Sequence, residues 1–338
     1  MCIIACFCMT ACSSDVNAPV VDDEKETYIV KLGWEGELDI TYEPLSRTST
    51  NDLYGIQVYS TPDNDGQGGS WTGYAYGLFD DPDNITIQLV KGYKYKLVAT
   101  MVKNGKDKIS NYDNKYSQPF CMSNWQGGTN NPTPLLCENK FNYSANLFFN
   151  ELMYGESQFN DYQIYTLPNT ERYYGELADY RPSEHNSKAN IHMKRTSFGA
   201  KFIVKGKLAN KGTLEIMIPG APKMELDLTQ TEKVISDIYT FTYVKTAWES
   251  NGDYSETVLV SINWYKEDGV VVPMGNHNIT YKRNATTVVT ITIENDGEEK
   301  QFGFEYLDGE TGAMPEDGEN SKEIVDGEIV DTNVGTNK

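Results

Sequence analysis

Histidine is almost missing from this chain, with three in 338 residues, and the shortage removes most schemes that use imidazole as acid, base or metal ligand. Two of the three, His185 and His192, stand in one polar stretch and read as surface residues. The short signatures of common catalytic chemistry are missing as well: there is no His-Glu-x-x-His pair, no phosphate-cradling glycine loop ahead of a helix and no Gly-x-Ser-x-Gly elbow. Asp63, Asp65 and Gly68 approach a calcium loop, but its twelfth position is Tyr74 where a bidentate glutamate is needed, so a plain turn is expected. Positive charge is scarce too. Lys and Arg number 29 against 49 Asp and Glu, a formal net charge of -20, which repels nucleic acid and anionic lipid alike. No stretch reaches the roughly 18 apolar residues that a membrane-spanning helix requires. The expectation is a protein that is not an enzyme and that carries no cofactor and no metal.

What is present begins at Met9-Thr10-Ala11-Cys12, which closes an apolar leader and precedes the polar, acidic run from Ser13. Small residues just ahead of a cysteine form a lipobox, so Cys12 is the expected lipidation site and the first residue of the mature chain. Two or three acyl chains on one residue make a durable anchor where a single chain does not. Residues 1–11 are then a lipoprotein signal peptide; their shortness and lack of Lys or Arg place the start of translation upstream. Residues 12–27, small, acidic and Pro-containing, read as a tether. Three further cysteines, Cys2, Cys6 and Cys8, leave with the leader. Only Cys121 and Cys137 remain, either bridged, which an oxidising compartment permits, or as two separate buried thiols.

The rest of the chain reads as strands. Tyr28, Val30, Leu32 and Trp34 share one face, and Leu38, Ile40 and Tyr42 alternate with Glu37, Asp39 and Thr41. Leu53–Ser60 and Trp71–Phe79 flank a Gly-rich turn and form a hairpin, while Asn84–Val90 and Tyr93–Val102 form a second pair around Gly92. Residues 103–146 are expected to run as a long irregular excursion containing Trp125. A strand fits Gln158–Leu167, a short helix capped by Asn169 runs through Asp179, and Arg181-Pro182-Ser183 marks a junction. Beyond it, Phe198, Ala200, Phe202 and Val204 form a buried face with Thr213–Ile218 as hairpin partner. Aromatic or β-branched faces recur at Tyr239, Phe241 and Tyr243, at Val258–Trp264 and at Val289–Ile293.

Many short strands with little helix call for β-sandwiches. The expected division is an N-terminal sandwich over 28–183, a C-terminal sandwich over 190–306 and a disordered acidic tail over 307–338. From Glu305 to Lys338 there are ten acids against two lysines, a net of -8 that gives the tail two-fifths of the whole imbalance and a composition that cannot bury a core.

Taken in order, several of these residues make the chain similar to the fimbrillin superfamily: exported lipoprotein precursors of surface pili and their accessory subunits in anaerobic outer-membrane bacteria. The resemblance rests on the lipobox at Cys12, the loop Ser46-Arg47-Thr48, the strand Leu53-Tyr54-Gly55-Ile56-Gln57-Val58-Tyr59, the opening Ser197-Phe198-Gly199-Ala200-Lys201-Phe202, and Tyr281-Lys282-Arg283-Asn284. It implies two consecutive transthyretin-like, Greek-key β-sandwiches without cofactor or catalysis, held at the outer membrane by lipid and partnered with other pilus subunits by strand exchange. It also implies cleavage by an Arg-specific protease, for which Arg47 is the candidate, freeing a groove behind the first strands. Strand addition suits such a groove because main-chain hydrogen bonds give affinity and alternate pockets give specificity. The tail departs from the family pattern. Its only apolar pairs, Ile324-Val325 and Ile329-Val330, are a poor donor strand. A second reading is an outer-membrane lipoprotein that stacks host or dietary glycan on Trp71 or Trp125, both of which border Gly- and Asn-rich loops; against it stands core packing of the same rings.

Overall fold

The computed structural model describes residues 25–37, 51–64, 69–126, 129–146, 149, 152, 157–159, 163–206, 211–250, 254–293, 302–306 and 312–313. Cys12, the segment with Leu38, Ile40, Tyr42 and Arg47, and most of the acidic tail lie outside them. No described helix is long and apolar enough to cross a membrane. The described chain is all-β apart from two short helices and one turn of 3-10 helix.

Period-two alternation builds β1 (Thr27–Gly36): Val30 and Leu32 are buried, Tyr28 and Trp34 half-buried, and Ile29 on the other face is 74% exposed. Next come β2 (Leu53–Pro62) and β3 (Thr72–Phe79), the expected hairpin. β4 (Thr86–Val90) and β5 (Tyr93–Val102) follow, joined through Gly92 at φ +83°. They are not a hairpin. β4 pairs with β1, and β5 pairs with β2. The turn is an arch between two walls of one core, where Ile85, Ile87 and Leu89 meet Tyr95, Leu97 and Ala99. Tyr95 Oη closes it, accepting from Val90 N and donating to Val90 O.

Residues 103–146 are more regular than expected. They hold α1 (Gly105–Lys108), β6 (Asn111–Tyr112), β7 (Lys115–Gln126), β8 (Thr129–Leu136) and β9 (Asn142–Tyr143). β6, β7 and β8 form a separate three-stranded sheet. Asp113 and Asn114, at φ 52° and 58°, supply the left-handed pair that a two-residue hairpin turn demands. The strand expected over Gln158–Leu167 is two short ones, β10 (Ser157–Phe159) and β11 (Gln163–Tyr165). The expected helix after Asn169 is instead β12 (Arg172–Tyr180), which lies beside β13 (Lys188–Arg195). Arg181-Pro182-Ser183 therefore sits in a turn within one sheet.

That sheet has eight strands in the order β4-β1-β13-β12-β5-β2-β3-β9. One face curls around the core of Val30, Leu32, Ile56, Leu97, Ile191 and their neighbours. Its other face, with Val98, Val102 and Tyr174, packs on Tyr116, Phe120 and Phe149.

From Ser197 the chain builds a second core, into which Leu167 also packs. β14 (Ser197–Lys205), β15 (Thr213–Met217), β16 (Met224–Asp227), β17 (Val234–Thr240), α2 (Val244–Glu249), β18 (Ser255–Tyr265), β19 (Val271–Lys282), β20 (Ala285–Ile293), β21 (Phe302–Tyr306) and β22 (Gly312–Ala313) complete the chain. They form the sheets β17-β14-β20-β21, with β22 on β20, and β16-β15-β18-β19. β14 and β15 were expected to pair, yet they lie in opposite sheets and meet only through side chains: Phe198, Ala200 and Phe202 share a core with Leu214 and Ile216. The Glu267-Asp268-Gly269 turn joins β18 to β19, with Gly269 at φ +83°. Phe198 packs among Tyr239, Phe241 and Tyr281 with ring centroids 4.5–5.7 Å apart.

α2 spans from the second core to the first sheet. Val244 is buried there, Trp248 meets the Tyr174 ring edge-on at 5.7 Å, and its indole N–H donates to His192 O. Lys245 Nζ lies 2.7 Å from Glu176 Oε1, which also accepts from Tyr174 Oη. Burial pushes the Glu176 carboxyl up, but the Lys245 and Tyr174 hydrogen bonds outweigh it and hold the group below the usual carboxylate range.

Candidate functional site

The feature that stands apart is how β1 is held. Its first half pairs antiparallel with β4, from Thr27 opposite Val90 to Lys31 opposite Thr86. Its second half pairs parallel with β13, from Lys31 opposite Lys188 to Gly36 opposite Met193. Neither neighbour is joined to it by a tight turn, since about 50 residues separate it from β4 and about 150 from β13 in the printed sequence. β1 therefore lies in a slot between strands that close on it from elsewhere in the chain. It can leave without any hairpin being undone.

The slot is apolar. Val30 and Leu32 share their core with Ile85, Ile87 and Leu89 on one side and Ala189, Ile191 and Met193 on the other, all nearly inaccessible. Trp34 lies over Tyr54 at 5.3 Å and donates its indole N–H to Pro82 O. Full burial is worth about 1.5–3 kcal/mol for each of Val30 and Leu32, and the two half-buried aromatics add a similar total, so emptying the slot costs on the order of 6–12 kcal/mol. That matches the whole stability of an ordinary domain. A vacated slot must be refilled, or the first core opens.

Polar contacts fix where β1 ends. Gly36 has φ +92°, and a Cβ built there would lie 2.4 Å from Met193 O, so the position needs glycine. The reversal lets Glu37 N donate to Met193 O at 2.8 Å. It also turns the Glu37 carboxylate into a cluster at the start of the second core. Glu37 Oε2 accepts from Arg283 Nη1 at 2.7 Å and from Arg195 N at 2.9 Å, and Arg283 Nη1 donates to Arg195 O at 3.0 Å. Arg195 is occupied otherwise, with Glu171 at 2.8 Å, the Tyr173 hydroxyl at 2.8 Å and Asn284 Oδ1 at 2.8 Å. Arg283 keeps only a tenth of its side chain exposed, and its Nε finds no acceptor among the described residues.

Of the residues singled out in the sequence, Cys12 and Arg47 lie outside the described residues. Trp71 is 36% exposed, just ahead of β3. Trp125 is in β7 opposite Asn130, and its side chain lies outside the described ones. The two tryptophans form no shared platform among described side chains. Trp264 borders a depression of about 180 Å³ with Lys211, Lys266, Glu267 and Asp268. The ring is 4% exposed and Lys266 covers it at 4.9 Å, so no face is open for a sugar.

Cys121 and Cys137 are both buried thiols, and the bridge expected as one of two alternatives is not made. Cys121 lies opposite Pro134 across the β7–β8 ladder. Cys137 is three residues further on, about 10 Å at strand rise, beyond the roughly 7 Å that a disulfide tolerates between Cα atoms. Burial, with the Asp80 charge behind it, pushes the Cys137 thiol up to about 11. Asp63, from the would-be calcium loop, pairs with Arg181 at 2.7 Å and faces Lys94 at 3.7 Å. Among the described residues no group of three His, Cys, Asp or Glu is placed to hold a metal ion.

No family model and no curated protein matches the chain. Among solved structures it is similar to the fimbrial anchor protein Mfa2 from Porphyromonas gingivalis, at 7% identity over 83% of this chain and 95% of that one, with a TM-score of 0.36. It is also similar to the tip fimbrial protein Mfa3 from Porphyromonas gingivalis with C-terminal truncation, at 8% identity over 83% of this chain and 98% of that one, with a TM-score of 0.32. Superpositions this loose fix neither the fold nor the activity of the chain.

Proposed function

We propose that this chain is a cell-surface lipoprotein of fimbrillin type, a structural, anchor or accessory subunit of a pilus that acts in adhesion by exchanging the strand in the β1 slot. The observation that carries the reading is the slot itself: an apolar strand inserted between two distant neighbours, ending at a left-handed glycine. A precursor is held at the outer membrane through lipid on Cys12. In a polymerising subunit, cleavage after Arg47 releases β1 together with the lipid and frees the slot for another subunit's strand, paired through the main chain of β4 and β13, whereas an anchor keeps its lipid on Cys12.

Two consecutive transthyretin-like sandwiches suit this arrangement. β1 runs parallel to β13 and β14 runs parallel to β20, so the first strand of each core lies against a late strand of the same core. The division between them falls at Thr196-Ser197, later than the Arg181-Pro182-Ser183 turn. A glycan-binding surface lipoprotein remains the second reading, on the partial exposure of Trp71.

The test is direct. The full chain is folded, then cut once at a protease site placed within residues 38–50, and incubated with an isotope-labelled peptide of residues 25–37. Exchange of labelled for resident peptide, with the first core intact by native mass spectrometry, is the expected result. A resident strand that never exchanges, or a core that unfolds on cutting despite excess peptide, overturns the reading.

A further inference from the structure

We infer that the β1 slot reads a Gly-acid terminus on the strand it accepts, with Arg283 as the specificity-determining residue, and that the strand comes from a polypeptide other than a copy of this chain. The inference rests on the strand-exchange reading and adds the partner's chemistry.

The resident strand shows what an occupant must supply. It needs large apolar side chains at three alternate positions, those of Val30, Leu32 and Trp34, to fill the core side. Two residues beyond the last comes glycine, because φ is +92° and a Cβ would press on the Met193 carbonyl at 2.4 Å. Next comes a carboxylate, because the guanidinium of Arg283 and the amide of Arg195 both point at Glu37 Oε2, at 2.7 and 2.9 Å. When residues before the 38–50 segment leave, Arg283, nine-tenths buried while Glu37 is in place, loses the carboxylate that neutralises it. Its Nε adds a further donor with no acceptor among the described residues, which suits fork-like recognition of an incoming acid. Gly33 is a softer constraint, since a Cβ there meets only side-chain atoms of Asn190 and Lys188.

The chain's own tail offers half of this signature. Asp308-Gly309-Glu310, Asp317-Gly318-Glu319 and Asp326-Gly327-Glu328 each place an acid after glycine, as Glu35-Gly36-Glu37 does. The apolar half is missing. Setting Gly327-Glu328 on Gly36-Glu37 puts Glu323 where Leu32 is buried and Ser321 where Val30 is buried. Between residues 307 and 338 no register brings large apolar residues to three alternate positions. A charged side chain in a fully buried strand position without a partner costs more than the Gly-acid end returns. A second copy cut after Arg47 has given up its own residues 25–37 and keeps this tail, a poor occupant, so the fitting donor is a strand of pattern apolar-x-apolar-x-apolar-x-Gly-acid on a different chain.

The cut full chain described above is titrated with four peptides: residues 25–37, the same with Glu37→Gln, the same with Gly36→Ala, and residues 316–331 of the tail. The 25–37 peptide is expected to exchange, and Glu37→Gln to be held about tenfold or more weakly, the worth of one charge-assisted hydrogen bond. Gly36→Ala is expected to be weaker still, and the tail peptide not to enter. In an Arg283→Met chain the difference between the Glu and Gln peptides should vanish. If that chain does not fold, the same comparison at 0.05 and 1 M salt replaces it, the Glu preference shrinking with screening. Equal retention of the Glu and Gln peptides overturns the Arg283 assignment while leaving strand exchange standing. Entry of the tail peptide as readily as 25–37 overturns the claim of a different donor. Failure of every peptide, 25–37 included, removes strand exchange and this inference with it.

Discussion

Truncating Leu32 to alanine tests whether β1 is an integral part of the first core. Leu32 is 1% exposed and packs in the core that also holds Ile85, Ile87 and Ile191. Leu32→Ala removes three carbons and leaves a cavity between two strands that cannot move together without breaking their own ladders, so the cost should be about 3 kcal/mol. Ile29, on the opposite face of the same strand and 74% exposed, is the internal control: Ile29→Ala should stay within about 0.5 kcal/mol. Hydrogen exchange of the β1, β4 and β13 amides of the full chain in rising urea reports on this core, and a loss of about 3 kcal/mol should lower a melting temperature by about 6–12 °C for a unit of this size. If Leu32→Ala and Ile29→Ala unfold together, within error of the unaltered chain, β1 is not packed in the sheet. The slot, and everything drawn from it, then fails.

Cys137, with its thiol pushed up to about 11 by burial, should be almost unreactive toward a thiol-disulfide reagent at pH 8 in the folded chain and should react within minutes in urea; rapid native labelling contradicts its placement. For Glu176 the Lys245 and Tyr174 hydrogen bonds hold the folded carboxyl below the usual carboxylate range. The sign follows: its contribution is fully present above the unfolded value and is lost as pH falls through the folded one. Protection of the α2 amides, corrected for the intrinsic slowing of exchange in acid, should therefore fall as pH drops below the ordinary carboxylate range, and Glu176→Gln should weaken α2 docking at neutral pH and flatten that dependence. An unchanged α2 protection factor between pH 7 and 3 contradicts the assignment.

The sequence carried the local part of the fold and little of the pairing. Alternation in Tyr28–Trp34, Phe198–Val204 and Val289–Ile293 reads directly as buried faces, because one side of each strand meets the core and the other meets water or polar cover. Gly92 marks a reversal, yet the same glycine serves a hairpin or an arch, and only the distant strands β1 and β2 decide between them. β12 reads as a helix in sequence because Tyr173 and Tyr174 are both buried, one on each face, which erases the period-two signal in a strand covered on both sides. Asp113-Asn114 was a legible turn signal that a long polar stretch concealed. The site was legible only as far as β1 being apolar and followed by Gly36-Glu37. Arg283 lies 246 residues from Glu37, and nothing local to either announces the pair.

The most direct measurement is the intact mass and N-terminal sequence of the chain recovered from assembled surface structures, together with those of whatever strand is bound to it. Strand exchange predicts a chain beginning at Thr48, lacking β1, with a segment of a second polypeptide carrying a Gly-acid end protected in its place. A chain that begins at an acylated Cys12, retains residues 27–36 and holds no foreign strand contradicts the account.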